Sequence, residues 1–396
     1  MKFSSRIERS HLSPIRKYYP YQVACNKSGV KIYHLNIGQP DIQTPPAYFD
    51  AIRDFSQPVL AYAPSPGIPQ LIQAVQAYYA RLGIPYEEGD ILVTTGGSEA
   101  LQMALNCILD TDDEILIPEP FYPNYNTFVN CAGGNIVPIH TTPEEGYQYA
   151  DRARIEPLIT PRTRAIMISN PGNPTGVVLT PAQMRLIADI AKEHGLFLIA
   201  DEVYREFIYG DEPLQSMGAF RDLDENLILI DSVSKRFSAC GARIGVLITR
   251  NQTLQQHALK ICQARLSVAT LDQVASAALY QVDPHYFDSV RAEYQRRRDT
   301  IYRKLQEIPG VVCKEPKGAF YLMAKLPVPD TDAFQTWLLT EFRDNNETLM
   351  YAPGGGFFAD PAQGKNQVRF AYVLNCQDLT RAMDLLKLGI AQYNGR

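Results

Sequence analysis

Short apolar runs, each closed by a polar or glycine-bearing turn, recur along the chain from about residue 90. The pattern predicts strands over 90–94, 114–117, 135–139, 165–169, 196–200 and 227–230. Between several of them, 70–82, 98–109 and 181–194 repeat apolar residues with a helical period. Strands that are apolar throughout are buried on both faces, so their alternation with helices predicts a mainly parallel sheet covered on two sides, an α/β fold. Ahead of this region the first 70 residues are rich in proline (Thr44-Pro45-Pro46, Ala63-Pro64-Ser65-Pro66-Gly67) and read as irregular, extended segments. Beyond residue 283 the texture changes to a long charged helix over 285–307. Strands at 311–313 and 319–324 follow, joined by Pro316-Lys317-Gly318 as a hairpin-like turn. Then come a helix over 331–343, strands near 349–351 and over 367–373, and a last helix from about 378. That succession predicts a smaller α+β domain.

The 396 residues leave room for two domains or three, and 45% hydrophobic with 20% charged residues is an ordinary globular balance. A formal net charge of −5 gives no general attraction to nucleic acid or an anionic membrane. The basic run Arg296-Arg297-Arg298, flanked by Glu293 and Asp299, reads as a solvated helix face. Seven scattered cysteines without a C-x-x-C pair fit reduced thiols better than disulfides, and the six histidines show no metal-ligand spacing. No stretch approaches the ~18 apolar residues of a membrane helix, and residues 1–17 lack the apolar centre of a secretory signal. The expectation is a cytoplasmic protein without metal, membrane or nucleic-acid partners.

Ligands of open α/β sheets bind beyond the carboxyl ends of the strands, and four strand ends here carry polar clusters. After 91–95, Gly96-Gly97-Ser98 opens a helix and combines close backbone approach, unpaired amides and a hydroxyl, an anion site as well as a plain N-cap. After 166–169, Asn170-Pro171-Gly172-Asn173-Pro174-Thr175-Gly176 is a rigid turn able to fix an amide, or simply a turn. After 196–200 come Asp201 and, three residues on, Tyr204, which one helical face would bring together. Asp201 could equally be only an N-cap. After 227–230 come Asp231-Ser232-Val233-Ser234-Lys235 and Gly241-Ala242-Arg243-Ile244-Gly245. A lysine so near a buried strand is partly desolvated and is a candidate for imine formation, though most lysines are merely exposed. A phosphate cradle, an amide, a carboxylate, a phenol and an amine at one sheet edge together suit pyridoxal 5'-phosphate (PLP).

Ser232-Val233-Ser234-Lys235 through Arg243-Ile244-Gly245, with the Asn170–Gly176 and Asp201–Tyr204 motifs in order, resembles the fold-type I, PLP-dependent class I/II aminotransferases, the aspartate aminotransferase superfamily. The resemblance spans the chain from about Ser13 onward. It implies a large domain (46–283) around a mainly parallel seven-stranded sheet, a small C-terminal domain (284–396), and an N-terminal arm (1–45) joining the small domain. Lys235 would carry the cofactor and move the proton between substrate Cα and cofactor C4′. Asp201 would pair with the ring nitrogen, and Tyr204 and Asn173 would hold the ring hydroxyl oxygen. Tyr122 would stack on the ring, and Gly97, Ser98, Ser232 and Arg243 would hold the phosphate. Arg369 would grip the substrate α-carboxylate, with Asn173 and the backbone N–H of Gly38 beside it. Tyr62 would reach the phosphate of the neighbouring subunit, making a homodimer with shared sites.

The implied reaction is a ping-pong exchange of an amino group between an L-amino acid, aspartate first, and 2-oxoglutarate. Aromatic or alanine-type donors, a PLP-dependent C–S β-lyase and a non-catalytic PLP-sensing regulator domain are the alternatives. The last would need an N-terminal DNA-binding module, for which only about a dozen residues precede the resemblance. One departure concerns the side-chain carboxylate: where many aspartate aminotransferases place an arginine, this chain reads Leu266-Ser267-Val268-Ala269-Thr270-Leu271, and Arg265 stands one helical turn off.

Overall fold

Prolines that look like breakers in the first 70 residues instead start helices. The computed structural model describes residues 1–10, 13–210 and 215–396. Pro20 lies in the first turn of helix Tyr19–Lys27, Pro46 opens Pro46–Arg53 and Pro69 opens Pro69–Arg81. In a first turn the N–H that proline lacks has no intrahelical partner to lose. Strand β1, Lys31–His34, lies among them, so the irregular reading of this segment is corrected there.

Among the described residues, seven strands build the central sheet: β2 Ile91–Thr94, β3 Glu114–Pro118, β4 Asn135–Ile139, β5 Thr163–Ser169, β6 Phe197–Asp201, β7 Leu227–Ser232 and β8 Gly245–Ile248. Their order is β2-β8-β7-β6-β5-β3-β4, with β8 antiparallel to both neighbours and the other pairs parallel. β8 was not among the expected strands. A single helical turn and tight bends, not a crossover helix, join it to β7, and the chain therefore returns antiparallel. Alternate residues serve opposite faces. Leu116, Ile166 and Leu198 pack with Met184 and Ile187 of helix Pro181–Glu193. Ile115, Ile117 and Met167 pack with Ala100 and Leu101 of helix Gly96–Ile108.

The C-terminal part has its own core, where helices His285–Gln306, Thr331–Thr340 and Cys376–Asn394 cover β9 Tyr321–Lys325 and β12 Gln367–Ala371. β11 Ala352–Pro353 completes an antiparallel sheet of order β11-β12-β9, and β10 Glu347–Met350 pairs in parallel with β1. The expected hairpin across 316–318 is reduced to one bridge, Val312 with Lys325. Its turn docks elsewhere: Lys317 N and Gly318 N donate to Gly176 O at 2.9 and 3.0 Å, and Ala319 N donates to Phe207 O at 2.8 Å. A Cβ on Gly176 (φ +70°) would lie 2.3 Å from Pro316, so only glycine admits this contact. The solvated reading of Arg296-Arg297-Arg298 is also corrected. Arg296 is exposed, but Arg297 bonds Asp41 and the Val373 carbonyl, and Arg298 bonds the Pro316 carbonyl; both are buried. Among the described residues no helix is long and apolar enough to cross a membrane.

Candidate active site

A cavity of about 590 Å³ opens at the carboxyl ends of the parallel strands. Every residue given a cofactor or substrate role above borders it except Tyr62. Each arrives by a local rule. β2 ends in a turn where Gly96 (φ +75°) starts a 13-residue helix, leaving the amides of its first turn at the cavity wall. Gly96 admits the Arg243 guanidinium, since a Cβ there would lie 2.6 Å from Arg243 Nη2. A Cβ on Gly245 would lie 2.5 Å from the Gly96 carbonyl carbon, so the two glycines let β8 press against the helix start. Arg243, in the left-handed region at φ 52°, is held by one bond to the Cys240 carbonyl (3.2 Å) and otherwise points a cation at the helix N-terminus.

Ser232 caps the short helix Val233–Arg236. Its hydroxyl accepts from Ser234 N (3.1 Å) and donates to the Ile244 carbonyl (2.9 Å). Ser234, absent from the expected set although it lies inside the lysine motif, also borders the cavity, its hydroxyl 2.8 Å from that of Ser232. Lys235 is half-buried, and its Nζ donates to Gly38 O at 3.0 Å. Gly38 thus engages the lysine through its carbonyl, whereas the sequence reading gave it a role through its N–H.

Asp201 is buried at the end of β6. Desolvation pushes its carboxyl up to about 6, against the lowering effect of the bond from Tyr125 Oη (2.6 Å) to Oδ2. Tyr125 is a second residue missed from sequence; its place three residues after Tyr122, at the start of helix Asn124–Ala132, was the available signal. Residues 203–206 form a turn instead of the helical face expected to join Asp201 to Tyr204. Tyr204 Oη instead lies 2.9 Å from Tyr321 Oη and accepts from Asn173 Nδ2 at 3.4 Å, while burial raises its pKa strongly. Tyr321 comes from β9 and lies so close to Gly38 that a Cβ there would sit 1.8 Å from its hydroxyl. Nothing in the Phe320-Tyr321 pattern distinguished it from a core strand.

Arg369 on β12 is 2% exposed. Nη1 donates to Asn173 Oδ1 (3.1 Å), Nη2 donates to the Asn36 carbonyl (2.6 Å), and Nε has no partner among the described residues. Tyr321 and Phe357 lie 4.5 and 5.0 Å from the guanidinium, and burial lowers its pKa. Among the described residues it has no carboxylate partner. A buried cation with only neutral neighbours costs several kcal/mol, which an incoming anion would offset.

Beneath the cavity lies a sealed ionic network. Asp231 accepts from Arg236 Nη2 (2.5 Å), Arg205 Nη2 (3.1 Å), Tyr79 Oη (2.8 Å) and Ser232 N (2.7 Å). Arg205 also binds Glu202 at 2.5 Å and the Tyr78 hydroxyl at 3.2 Å, and Tyr78 in turn binds Glu206. All are buried. Arg205 follows Tyr204, Arg236 follows Lys235 and Asp231 precedes Ser232, so one cluster pins the backbones of three cavity residues.

Tyr62, an expected contact, and Arg265, read as one helical turn off, both lie outside the cavity. Tyr62 is 81% exposed on a segment tacked down by the bond from Thr270 Oγ1 to the Ala61 carbonyl (2.8 Å). Arg265 is committed elsewhere, donating to the Ser65 and Val93 carbonyls at 3.3 and 3.2 Å, with Glu99 3.4 Å away.

The sequence model described as "Aminotransferase class I and II" matches residues 30–348. The aspartate aminotransferase of Bacillus subtilis is 29% identical over 377 residues, 93% of each chain. The aromatic-amino-acid aminotransferase 2 of Thermococcus litoralis is 30% identical over 396 residues, 98% of each chain. Among solved structures, the aspartate aminotransferase from Thermus thermophilus with maleate superposes with a TM-score of 0.88 at 28% identity, covering 98% of this chain and 100% of that one. A mainly parallel sheet with this strand-end cavity defines the PLP-dependent transferase fold of the aspartate aminotransferase type. The chain belongs to the class I and II aminotransferases and is a transaminase.

Proposed function

We propose that the protein exchanges an amino group between an L-amino acid, aspartate foremost, and 2-oxoglutarate, with PLP as cofactor, by a ping-pong cycle. The observation that carries this reading is Arg369, a buried cation with neutral neighbours bordering the same cavity as the Lys235 amine. A relative solved with maleate, and curated relatives bearing the aspartate name, favour dicarboxylic substrates.

The residues present suit the cofactor. The amides of helix Gly96–Ile108 with Ser98, Ser232 and Arg243 would hold its phosphate, in a cradle that a side chain on Gly96 would fill. Asp201, a buried carboxylate lacking a cationic partner among the described residues, would hold the ring nitrogen, and Tyr204 with Asn173 the ring hydroxyl oxygen. Tyr122 would lie on the ring face. When bound, PLP supplies the carbonyl and the electron sink through which an amino group is exchanged. The chain then does three things. Arg369 grips the α-carboxylate as a two-point fork, orienting Cα toward Lys235. Lys235 Nζ takes and returns the proton at Cα. Tyr125 holds the Asp201 carboxylate in place through its 2.6 Å bond. Residues 46–283 act as the large domain, and 284–396 with the arm 1–45 as the small one; the pairing of β1 with β10 supports that grouping.

A panel of amino donors in single turnover, followed by the cofactor's absorbance, tests the reading. Aspartate and glutamate are expected to react fastest, with 2-oxoglutarate restoring the starting spectrum. Pyruvate and ammonia released from cystathionine with no oxo-acid requirement would replace it with a lyase.

The cavity is completed, in this proposal, by Tyr62 of the partner subunit in a homodimer. Val59, Leu60 and Tyr62 are 68%, 63% and 81% exposed, a costly display on an isolated chain. Mixing Lys235→Ala with Tyr62→Phe chains is expected to restore about half the wild-type activity per mixed dimer, because one site then holds both intact residues. Tyr62→Phe alone should weaken cofactor binding by about 1.5–3 kcal/mol, the worth of a hydrogen bond to a charged group. A mixture showing only Tyr62→Phe behaviour would mean that Tyr62 serves its own chain.

A further inference from the structure

Four cationic side chains border the cavity among the described residues: Arg16, Lys235, Arg243 and Arg369. The proposed reaction employs three of them and leaves Arg16 without a task. Nor is Arg16 engaged in the fold, since among the described residues its side chain makes no hydrogen bond, ion pair or aromatic contact, and it is exposed. Its backbone, by contrast, is firmly built. Arg16 N donates to the Ser13 carbonyl (3.2 Å), closing the turn that starts the 3-10 helix Arg16–Tyr18. Pro14 packs so closely on Gly356 that a Cβ there would lie 2.3 Å from its ring. Ile15 packs against the hydrophobic cluster that contains Phe357, and Tyr18 is buried and bonds Asp332. Phe357 is also the ring 5.0 Å from the Arg369 guanidinium. The segment presenting Arg16 is therefore docked on the same wall that carries Arg369.

We propose that Arg16 reads the substrate side chain, taking the distal carboxylate of a dicarboxylic amino or oxo acid whose α-carboxylate lies on Arg369. The inference rests on the aminotransferase reading above and names the residue that selects its substrates. It also fills the place for which Arg265 is unsuited, that side chain being spent on two backbone carbonyls and Glu99. The chemistry fits, because a guanidinium forks onto a carboxylate with two parallel hydrogen bonds. Being exposed, Arg16 stays hydrated when a monocarboxylic substrate binds, so it favours dicarboxylates without penalising the others. Discrimination of that kind acts on binding and leaves the proton transfer at Cα untouched.

The test uses the holoenzyme of the wild type, Arg16→Met and Arg16→Lys. Half-reactions with L-aspartate are compared with those of L-alanine or L-phenylalanine, whichever the wild type accepts, and succinate binding is measured by calorimetry. In Arg16→Met, KM for aspartate and Kd for succinate should rise on the order of 10–100-fold, the range for a lost charge-assisted hydrogen bond, while kcat and the monocarboxylic donor stay unchanged. Arg16→Lys should fall between, and raised salt should narrow the gap between wild type and Arg16→Met. An aspartate KM and a succinate Kd unmoved by Arg16→Met would overturn the role of Arg16 alone. So would equal losses on both kinds of donor. A wild type that neither reacts with aspartate nor binds succinate would overturn it together with the dicarboxylate reading.

Discussion

Lys235→Ala is expected to lower transamination on the order of 10,000-fold or more. That is the upper end for loss of a general base, and the covalent hold on the cofactor goes with it. Lys235 Nζ borders the cavity with a single strong bond, to Gly38 O at 3.0 Å, and among the described residues no other lysine borders it, so alanine removes the amine from that point. Borohydride treatment of the wild type should fix the cofactor on the peptide containing Lys235, and treatment of the variant should leave it extractable. Label on any other lysine would remove Lys235 from the reaction. Folding should be little affected, because the neighbouring Arg236, which is buried and ion-paired, anchors the segment.

Asp201→Asn should separate catalysis from stability in opposite directions. Its kcat is expected to fall on the order of 100–1,000-fold, the scale for deleting one preorganised electrostatic partner. The cofactor-stripped protein should become more stable at neutral pH. Asp201 titrates near 6 in the folded chain, against an ordinary value of 3.8. The folded state therefore holds its proton longer than the unfolded one, and that support is complete below about pH 4 and lost as pH rises through about 6. Asparagine mimics the protonated form and does not titrate. Denaturation of the stripped proteins should give equal stabilities near pH 4 and a gain for Asp201→Asn of up to about 3 kcal/mol at pH 7. A gap independent of pH, or near-normal kcat, would contradict the account.

Most of the central sheet was legible because strands buried on two faces advertise themselves as unbroken apolar runs, as in 114–117 and 227–230. β8 escaped because Gly245 belongs at once to the Arg243 motif and to the strand. The first 70 residues misled because proline is a breaker inside a helix and an opener at its start, and composition alone does not say which. In the cavity, residues tied to local motifs (Gly97, Ser98, Lys235, Arg243) could be found by spacing. Tyr321 and Asn36 could not: Tyr321 meets Tyr204 only through the packing of the C-terminal part against the sheet, and Asn36 meets Arg369 only because β1 joins that C-terminal part beside β10. Asp201 and Tyr204 were picked out by a helical argument that their turn does not obey.

The sealed cluster around Asp231 bears on how such a chain can change over descent. Two carboxylates, Glu202 and Asp231, share two guanidiniums, Arg205 and Arg236, with Glu206 attached through the Tyr78 hydroxyl and all of them buried. Exchanging one member strands a buried charge at a cost of about 3–5 kcal/mol, a large share of the roughly 5–15 kcal/mol that keeps a protein folded. Exchanging a matched pair for well-packed apolar residues can be neutral or better. The floor of this cavity is therefore expected to change as a block and not one residue at a time. Chains carrying only one half of such an exchange would be the least stable on the path between two arrangements, so the second change must follow closely on the first.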